Sequence, residues 1–131
     1  MDEQVARGLI AEHFANAGKD EVAASEIYAD DAVLEFPQSG ERFEGVTTFT
    51  EWRRQYPAEV RYRIRRITAR EDVAVVELSI SYNSGPWHCG VQLLEFRDDK
   101  VARERIYVME GWEAPDWRAR WRSETPADPP G

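Results

Sequence analysis

Three polar side chains in the second half of the chain, His88, Gln92 and Glu104, belong to the residue types that carry out proton transfer. An imidazole can act as a general base near neutral pH or polarise a substrate oxygen. An amide N–H can donate to an oxyanion, and a carboxyl group removed from water has a raised pKa that suits proton transfer. The three residues are therefore candidates for acid–base catalysis on a small molecule.

The orientation of these side chains depends on strand phase, because neighbouring residues of a strand face opposite sides of a sheet. Both faces of the predicted strand 87–96 carry apolar residues, so alternation alone leaves the orientation of His88 and Gln92 open. Glu104 has apolar same-face neighbours at Ala102, Ile106 and Val108. They favour an inward carboxylate, whereas the opposite phase places Glu104 on the wet face, paired with an arginine.

The elements that position these residues are predicted from hydrophobic periodicity and capping residues. Helices come first and strands follow, which indicates an α+β fold with the helices packed on one sheet face. The inward helix faces include Val5 and Val22, and Thr48 with Glu51 has capping-box spacing. Predicted helices run over about 2–17, 20–28 and 48–57, and strands over about 32–36, 60–65, 76–82, 87–96 and 101–109.

Composition limits the possible partners and cofactors of the chain. Its 131 residues fit one domain, predicted over 1–125, followed by a disordered tail at 126–131. A net charge of −8 argues against nucleic acid and anionic membranes as partners. Cys89 is the single cysteine and the two histidines are far apart, so we expect no disulfide, metal or other cofactor. No apolar run reaches membrane-spanning length and the start lacks a signal-peptide pattern, so we expect a cytoplasmic protein.

The stretch Tyr28–Pro37, of sequence YADDAVLEFP, resembles the helix-to-strand junction of the nuclear-transport-factor-2-like (NTF2-like) superfamily. Gly45 before the third helix and the four long strands at the end agree with this resemblance. The superfamily includes ketosteroid isomerases, SnoaL-like polyketide cyclases and limonene epoxide hydrolases. The resemblance implies a conical barrel, in which three helices from the N-terminal half pack on the concave face of a strongly curved, mainly antiparallel sheet.

The resemblance also makes predictions about the site. Its register places His88, Gln92, Leu94 and Phe96 inside the cone. The ketosteroid isomerase base position carries Phe36, the tyrosine position falls near Glu12 and the acid position at Gln92, so that mechanism is disfavoured. Ile106 occupies the acid position of the epoxide hydrolases. The predicted substrate-binding residues are Phe14, Phe36, Trp52, Tyr56, Tyr82, Leu94 and Ile106.

Two functions remain open from the sequence. The first is a cofactor-free lyase or isomerase of the SnoaL-like cyclase type, or an epoxide-hydrolase-like enzyme, acting on a small apolar or aromatic molecule. The second is a non-catalytic module of the same fold that binds a hydrophobic ligand or serves as a scaffold. Trp112, Trp117 and Trp121 after the last strand predict a homodimer formed through the sheet face and this segment, the alternative being a flap over the cavity.

Overall fold

The computed structural model describes residues 1–127, so the predicted disordered tail lies, from residue 128 on, outside the described residues. The helices are α1 (Glu3–Asn16), α2 (Glu21–Ala24) and α3 (Val46–Arg54), with 3-10 turns at Ser25–Ile27 and Asp116–Trp121. The strands are β1 (Tyr28–Phe36), β2 (Glu41–Glu44), β3 (Val60–Arg70), β4 (Val73–Tyr82), β5 (Trp87–Arg97) and β6 (Lys100–Met109).

All six strands form one curved sheet in the order β2-β1-β6-β5-β4-β3. The β1–β6 pair is parallel and every other pair is antiparallel. Helix α1 packs on β3, and α3 packs on β1 and β2, so the helices cover the concave face. The predicted α+β fold with a mainly antiparallel sheet is confirmed. The sheet stays open, because β2 and β3 lie at its two edges and do not pair with each other.

Strand alternation places the polar candidates on the inner face. Strand β5 buries Gly90, Gln92, Leu94 and Phe96, which is the register that the family resemblance implies. Glu104 on β6 is also inward and is fully buried. A register shift between Glu95 and Phe96 pairs Phe96 with Val101. As a result Val101, and not Ala102, fills the inner position before Glu104.

The junction between the second helix and the first strand differs from the prediction. Helix α2 begins after Asp20, whose carboxylate accepts from Ala23 N, but it ends at Ala24 instead of Tyr28. Tyr28 already pairs with Val101 in the parallel β1–β6 ladder. Backbone pairing with a strand distant in sequence therefore starts the strand at Tyr28, and Ser25–Ile27 before it form a 3-10 turn instead of the last turn of the predicted helix.

Two further local predictions are wrong. Helix α3 begins at Val46, directly after Gly45 with φ of +89°, and Thr48 lies inside it, so the capping box does not form. Val5 and Val22 are 45% and 60% exposed, although their spacing predicted inward positions. In α1 and α2, the face that other elements cover is narrower than the face that the apolar residues form.

Candidate ligand cavity and its buried ion pair

A cavity of about 620 Å³ lies between the helices and the inner face of the sheet. Its size is that of a pocket for a small organic ligand. The walls come from the α1–α2 connection and α2, from α3 and the loop after it, and from every strand except β2. The lining residues are Gly18, Lys19, Asp20, Glu21, Val22, Phe36, Trp52, Arg53, Arg54, Tyr56, Ala58, Val60, Tyr62, Ile80, Tyr82, Gln92, Ile106 and Val108.

The structure brings together part of the predicted site. Phe36, Trp52, Tyr56, Tyr82, Gln92 and Ile106 all line the cavity. Leu94 belongs to the core, and Phe14 packs its ring edge against Tyr62 at a centroid distance of 5.4 Å. These two residues, together with His88 and Glu104, are not among the cavity lining. The catalytic roles assigned to His88, Gln92 and Glu104 remain predictions.

The strand register explains why Glu104 does not reach the cavity. Gln92 pairs with Ile106 across β5 and β6, and this pair forms the cavity floor. The next inward pair is Leu94 with Glu104, so the carboxylate lies one side-chain layer below the floor. Glu104 is also flanked by Leu34 of the parallel strand β1. The Glu104 side chain points inward as predicted, but it lies too deep below the floor to contact a substrate.

Glu104 is joined to the cavity by two other side chains. The Tyr28 hydroxyl donates a hydrogen bond to Glu104 Oε1. Arg53 Nη1 in turn donates to the Tyr28 hydroxyl oxygen at 3.0 Å. Since Arg53 lines the cavity, a carboxylate–phenol–guanidinium chain runs from the buried layer to the cavity wall. Glu104 Oε2 is buried and has no hydrogen-bond partner within residues 1–127.

The charges in this chain stabilise one another against the cost of burial. Burial raises the pKa of Glu104, and the Arg53 charge and the Tyr28 hydrogen bond act in the opposite direction. Burial also lowers the pKa of Arg53, but Tyr28 and Glu104 outweigh it, so its pKa lies above the ordinary value. Tyr28 has a pKa raised foremost by burial and stays a neutral donor. The unit is a buried carboxylate and a half-buried guanidinium bridged by a phenol.

Gln92 is the polar group of the cavity floor. The residue is 4% exposed, and its Oε1 is buried without a hydrogen-bond partner in the described chain. A buried amide without a partner costs free energy unless a ligand or water pairs with it. Since rotation of the amide exchanges its oxygen and nitrogen, Gln92 can present either an acceptor or an N–H donor to a ligand. Gln92 therefore lies on the inner face, as the family register predicted.

His88 lies at the end of the sheet, behind the cavity wall. It pairs with Ile80 of β4, and its ring centroid is 5.6 Å from that of Tyr82. Tyr82 itself lines the cavity and faces the ring of Tyr56 at 6.2 Å. Burial is the main reason why the pKa of Tyr82 is raised. His88 therefore contacts a wall residue and not the cavity space.

Arg53 is a candidate site residue that the sequence analysis did not identify. It lies on α3 beside Trp52, and a cation next to an apolar stripe is usually solvent-facing. A signal was present, because Arg53 is four residues after Phe49 and therefore on the same helix face. Its guanidinium carbon is 5.5 Å from the Phe49 ring centroid, 5.6 Å from that of Tyr28 and 5.8 Å from that of Trp52. Three aromatic rings thus hold the cation in place.

Residues 1–127 contain no group of three or more histidine, cysteine or acidic side chains arranged to hold a metal ion. Within the same residues, the helices are too short or too polar to cross a lipid bilayer.

The comparisons with known proteins agree with the geometry. No curated protein matches the sequence. An NTF2-like protein of unknown function from Burkholderia xenovorans is 35% identical, with a TM-score of 0.87 over 95% of this chain and 98% of that chain. A protein from Kribbella flavida, provisionally named a ketosteroid isomerase, is 25% identical, with a TM-score of 0.84 over 95% of this chain and 93% of the other.

A third solved structure, from Sinorhizobium meliloti and provisionally named a polyketide cyclase, is 26% identical, with a TM-score of 0.66 over 76% of this chain and 94% of that one. The family model described as the SnoaL-like domain matches residues 6–104, which is most of the chain and includes both Arg53 and Glu104. The chain therefore belongs to the SnoaL-like domain family of the NTF2-like superfamily.

Proposed function

We propose that this protein is a small-molecule isomerase or cyclase that acts on a flat apolar molecule bearing a carbonyl group. The observation that carries the proposal is a cavity of about 620 Å³ with aromatic walls and the unpartnered amide of Gln92 at its floor. Phe36, Trp52 and Tyr82 offer ring faces to an apolar body. The relatives provisionally named ketosteroid isomerase and polyketide cyclase support the same reaction class.

The chemistry proposed for the floor is stabilisation of an enolate. Removal of a proton next to a carbonyl group leaves negative charge on the carbonyl oxygen. The Gln92 amide can donate to that oxygen, and the Arg53 cation on the wall lowers the energy of the charge in a site with little water. The enolate carbon then takes back a proton in an isomerisation or attacks a second carbonyl group in a cyclisation.

The base in this proposal acts from behind the wall. His88 contacts Tyr82, and Glu104 reaches Arg53 through Tyr28. Glu104 therefore acts as a positioning residue that fixes Tyr28 and Arg53. His88 accepts the substrate proton through a water molecule that reaches the imidazole when the Tyr82 side chain turns aside. This division of roles revises the sequence hypothesis that both groups touch the substrate.

Hydrogen–deuterium exchange tests the proposal without knowledge of the natural substrate. The probe is 2-tetralone, a flat bicyclic ketone, followed by NMR in D2O. We expect the protein to accelerate exchange at the α-carbons over buffer, because an enolate-stabilising site acts on any ketone it can bind. Gln92→Leu should lower the acceleration by about 100-fold or more, the loss typical of a missing oxyanion donor.

The matched control is Gln55→Leu, which removes an exposed amide at the end of α3 that donates to Glu51 Oε1. Exchange by this variant should equal that of the wild-type protein. Equal exchange by buffer, wild type and Gln92→Leu would show that the site does not stabilise an enolate.

The alternative function is ligand binding without catalysis. One observation favours it: neither His88 nor Glu104, the predicted proton-transfer groups, is among the residues lining the cavity. Thermal stabilisation by 2-tetralone with no accelerated exchange identifies such a binding module, since ligand binding raises stability whether or not chemistry follows.

The proposed assembly is a homodimer of two copies joined through the outer sheet face. Support comes from the C-terminal tryptophans, since Trp112, Trp117 and Trp121 are 81%, 73% and 65% exposed. So much exposed indole surface is unusual on a monomer.

A further inference from the structure

Arg53 keeps hydrogen-bonding capacity that the protein does not use. A guanidinium carries several N–H donors in a planar fork. One of them donates to the Tyr28 hydroxyl at 3.0 Å, which is the hydrogen bond that Arg53 makes within residues 1–127. The residue lines the cavity, so its other donors are available on that side. The rings of Tyr28, Phe49 and Trp52 restrict its position.

The acidic groups around the cavity do not occupy these donors. Asp20 caps α2 by accepting from Ala23 N at 3.0 Å, and Glu21 Oε1 accepts from Gly18 N at 2.5 Å. Glu104 meets the cation only through the Tyr28 hydroxyl, so the phenol separates the two charges. Within residues 1–127, the negative charge of Glu104 therefore acts on Arg53 through the phenol, and no acidic side chain bonds the guanidinium directly.

We propose that the ligand of this cavity carries a carboxylate, which binds the free edge of the Arg53 guanidinium while its apolar body packs between the aromatic walls. This inference rests on the cavity of the proposed function and adds the chemical class of its ligand, an aromatic or alicyclic carboxylic acid. Arginine suits this role because its planar fork matches the two oxygens of a carboxylate. The ketone of such a ligand is then free to reach Gln92 at the floor.

The first experiment compares 2-naphthoate with 2-naphthamide by isothermal titration calorimetry at pH 8. The two probes share shape and apolar area and differ in charge. The ratio of their affinities therefore measures the contribution of the carboxylate charge to binding. We expect naphthoate to bind at least about tenfold more tightly, the effect of one charge-assisted hydrogen-bonded pair. Arg53→Met should abolish the preference. Equal affinities in the wild-type protein overturn the inference.

Arg54→Met is the matched control, because Arg54 is the next residue, lines the same cavity and is exposed. An exposed charge is screened by solvent, so we expect its loss to weaken naphthoate binding by less than about threefold. If Arg54→Met and Arg53→Met lower the affinity equally, the carboxylate is attracted by overall charge and the assignment to Arg53 is wrong.

Glu104→Gln supplies a variant with the opposite expected effect. Glutamine retains an acceptor for the Tyr28 hydroxyl but removes the negative charge that partly compensates Arg53. Naphthoate should then bind about three- to tenfold more tightly at pH 8, while naphthamide binding stays the same. Weaker or unchanged naphthoate binding contradicts the inference even if Arg53→Met fails to fold. If neither probe binds and the protein does not accelerate 2-tetralone exchange, the proposed function itself is wrong. If the protein accelerates exchange but shows no preference for the carboxylate, only this inference is wrong.

Discussion

His13 shows how a single titratable residue couples the fold to pH. It is buried on α1, and its Nδ1–H donates to the Ala24 carbonyl oxygen at 2.7 Å, which ties α1 to the end of α2. Burial, and then the charge of Arg53, lower the pKa of His13 to about 4, although the hydrogen bond to Ala24 opposes the shift. His13 is therefore a core histidine whose ring nitrogen is paired with backbone.

We predict that His13 makes the protein sensitive to acid between pH 6.5 and pH 4. Its folded-state pKa is depressed, so its stabilising contribution is complete above the unfolded value of 6.5 and is lost as the pH falls toward about 4. The loss reaches about 3 kcal/mol, from the size of the shift. His13→Asn keeps an N–H donor but does not titrate, so urea unfolding of this variant should show a flatter acid limb than the wild-type protein.

Phe14→Leu is the control for disturbed packing, because the Phe14 ring lies 4.8 Å from that of His13. It should lower stability by a similar amount at every pH and leave the acid slope in place. Glu104 does not account for that slope, since its raised pKa lowers stability as the pH increases and so acts in the opposite direction. Parallel curves for wild type and His13→Asn would falsify the linkage.

At the level of elements, the end of α1 depends on one glycine. Gly18 has φ of +81°, and a Cβ on it would lie 2.3 Å from the carbonyl oxygen of Val60 at the start of β3. Any side chain therefore meets backbone in a conformation that already favours glycine. Gly18→Ala should reduce the free energy of unfolding by at least about 2 kcal/mol, measured by urea denaturation.

Gly8 provides the matched control for this substitution. It lies in the middle of α1, and a Cβ built there has no atom within 4 Å. Gly8→Ala should raise stability by about 0.5 to 1 kcal/mol through helix propensity. If both alanine variants change stability alike, the close approach of α1 to β3 is not what requires glycine at position 18.

The elements that could be predicted from sequence are those that carry their own periodicity. Alternation in β4 and β5 and the caps at Asp2 and Asp20 are local signals, and the structure agrees with them. The start of β1 at Tyr28 could not be found this way, because it depends on pairing with Val101, far along the chain. Long-range pairing leaves no local pattern.

In the candidate site, too, local sequence patterns predicted some features, and features that depend on long-range contacts could not be predicted. The apolar same-face neighbours of Glu104 favoured its inward direction, and the family register placed Gln92 inward where alternation left it open. Depth below the cavity floor depends on how the helices dock, so alternation could not show that Glu104 lies one layer too deep to contact a ligand. Arg53 was missed because its burial depends on Tyr28 and Phe49, which surround it only in the folded protein.

For the whole molecule, the C-terminal segment 112–122 exposes three tryptophans that a single copy of the chain does not cover. Two of its three indoles are covered on one side by neighbouring arginines, with Arg120 Cζ 4.2 Å from the Trp121 ring centroid and Arg118 Cζ 5.9 Å from that of Trp117. The stretch 116–122 holds three arginines and one aspartate in a chain of net charge −8. A second copy of this acidic chain therefore fits the segment in charge as well as in its apolar surface.

We predict that the protein sediments as a dimer at micromolar concentration. Leu93 lies on the outer face of β5, and Leu93→Arg should shift sedimentation to the monomer because a charge would be buried in the joined sheets. Trp117→Ser combined with Trp121→Ser should raise the dimer dissociation constant at least tenfold, since large aromatics carry much of an interface's energy. The matched control for Leu93→Arg is Val5→Arg. This substitution adds the same charge at an exposed valine on α1 and should leave the dimer intact. A monomeric wild-type protein, or equal weakening by Val5→Arg and Leu93→Arg, would exclude the sheet face as the contact between copies.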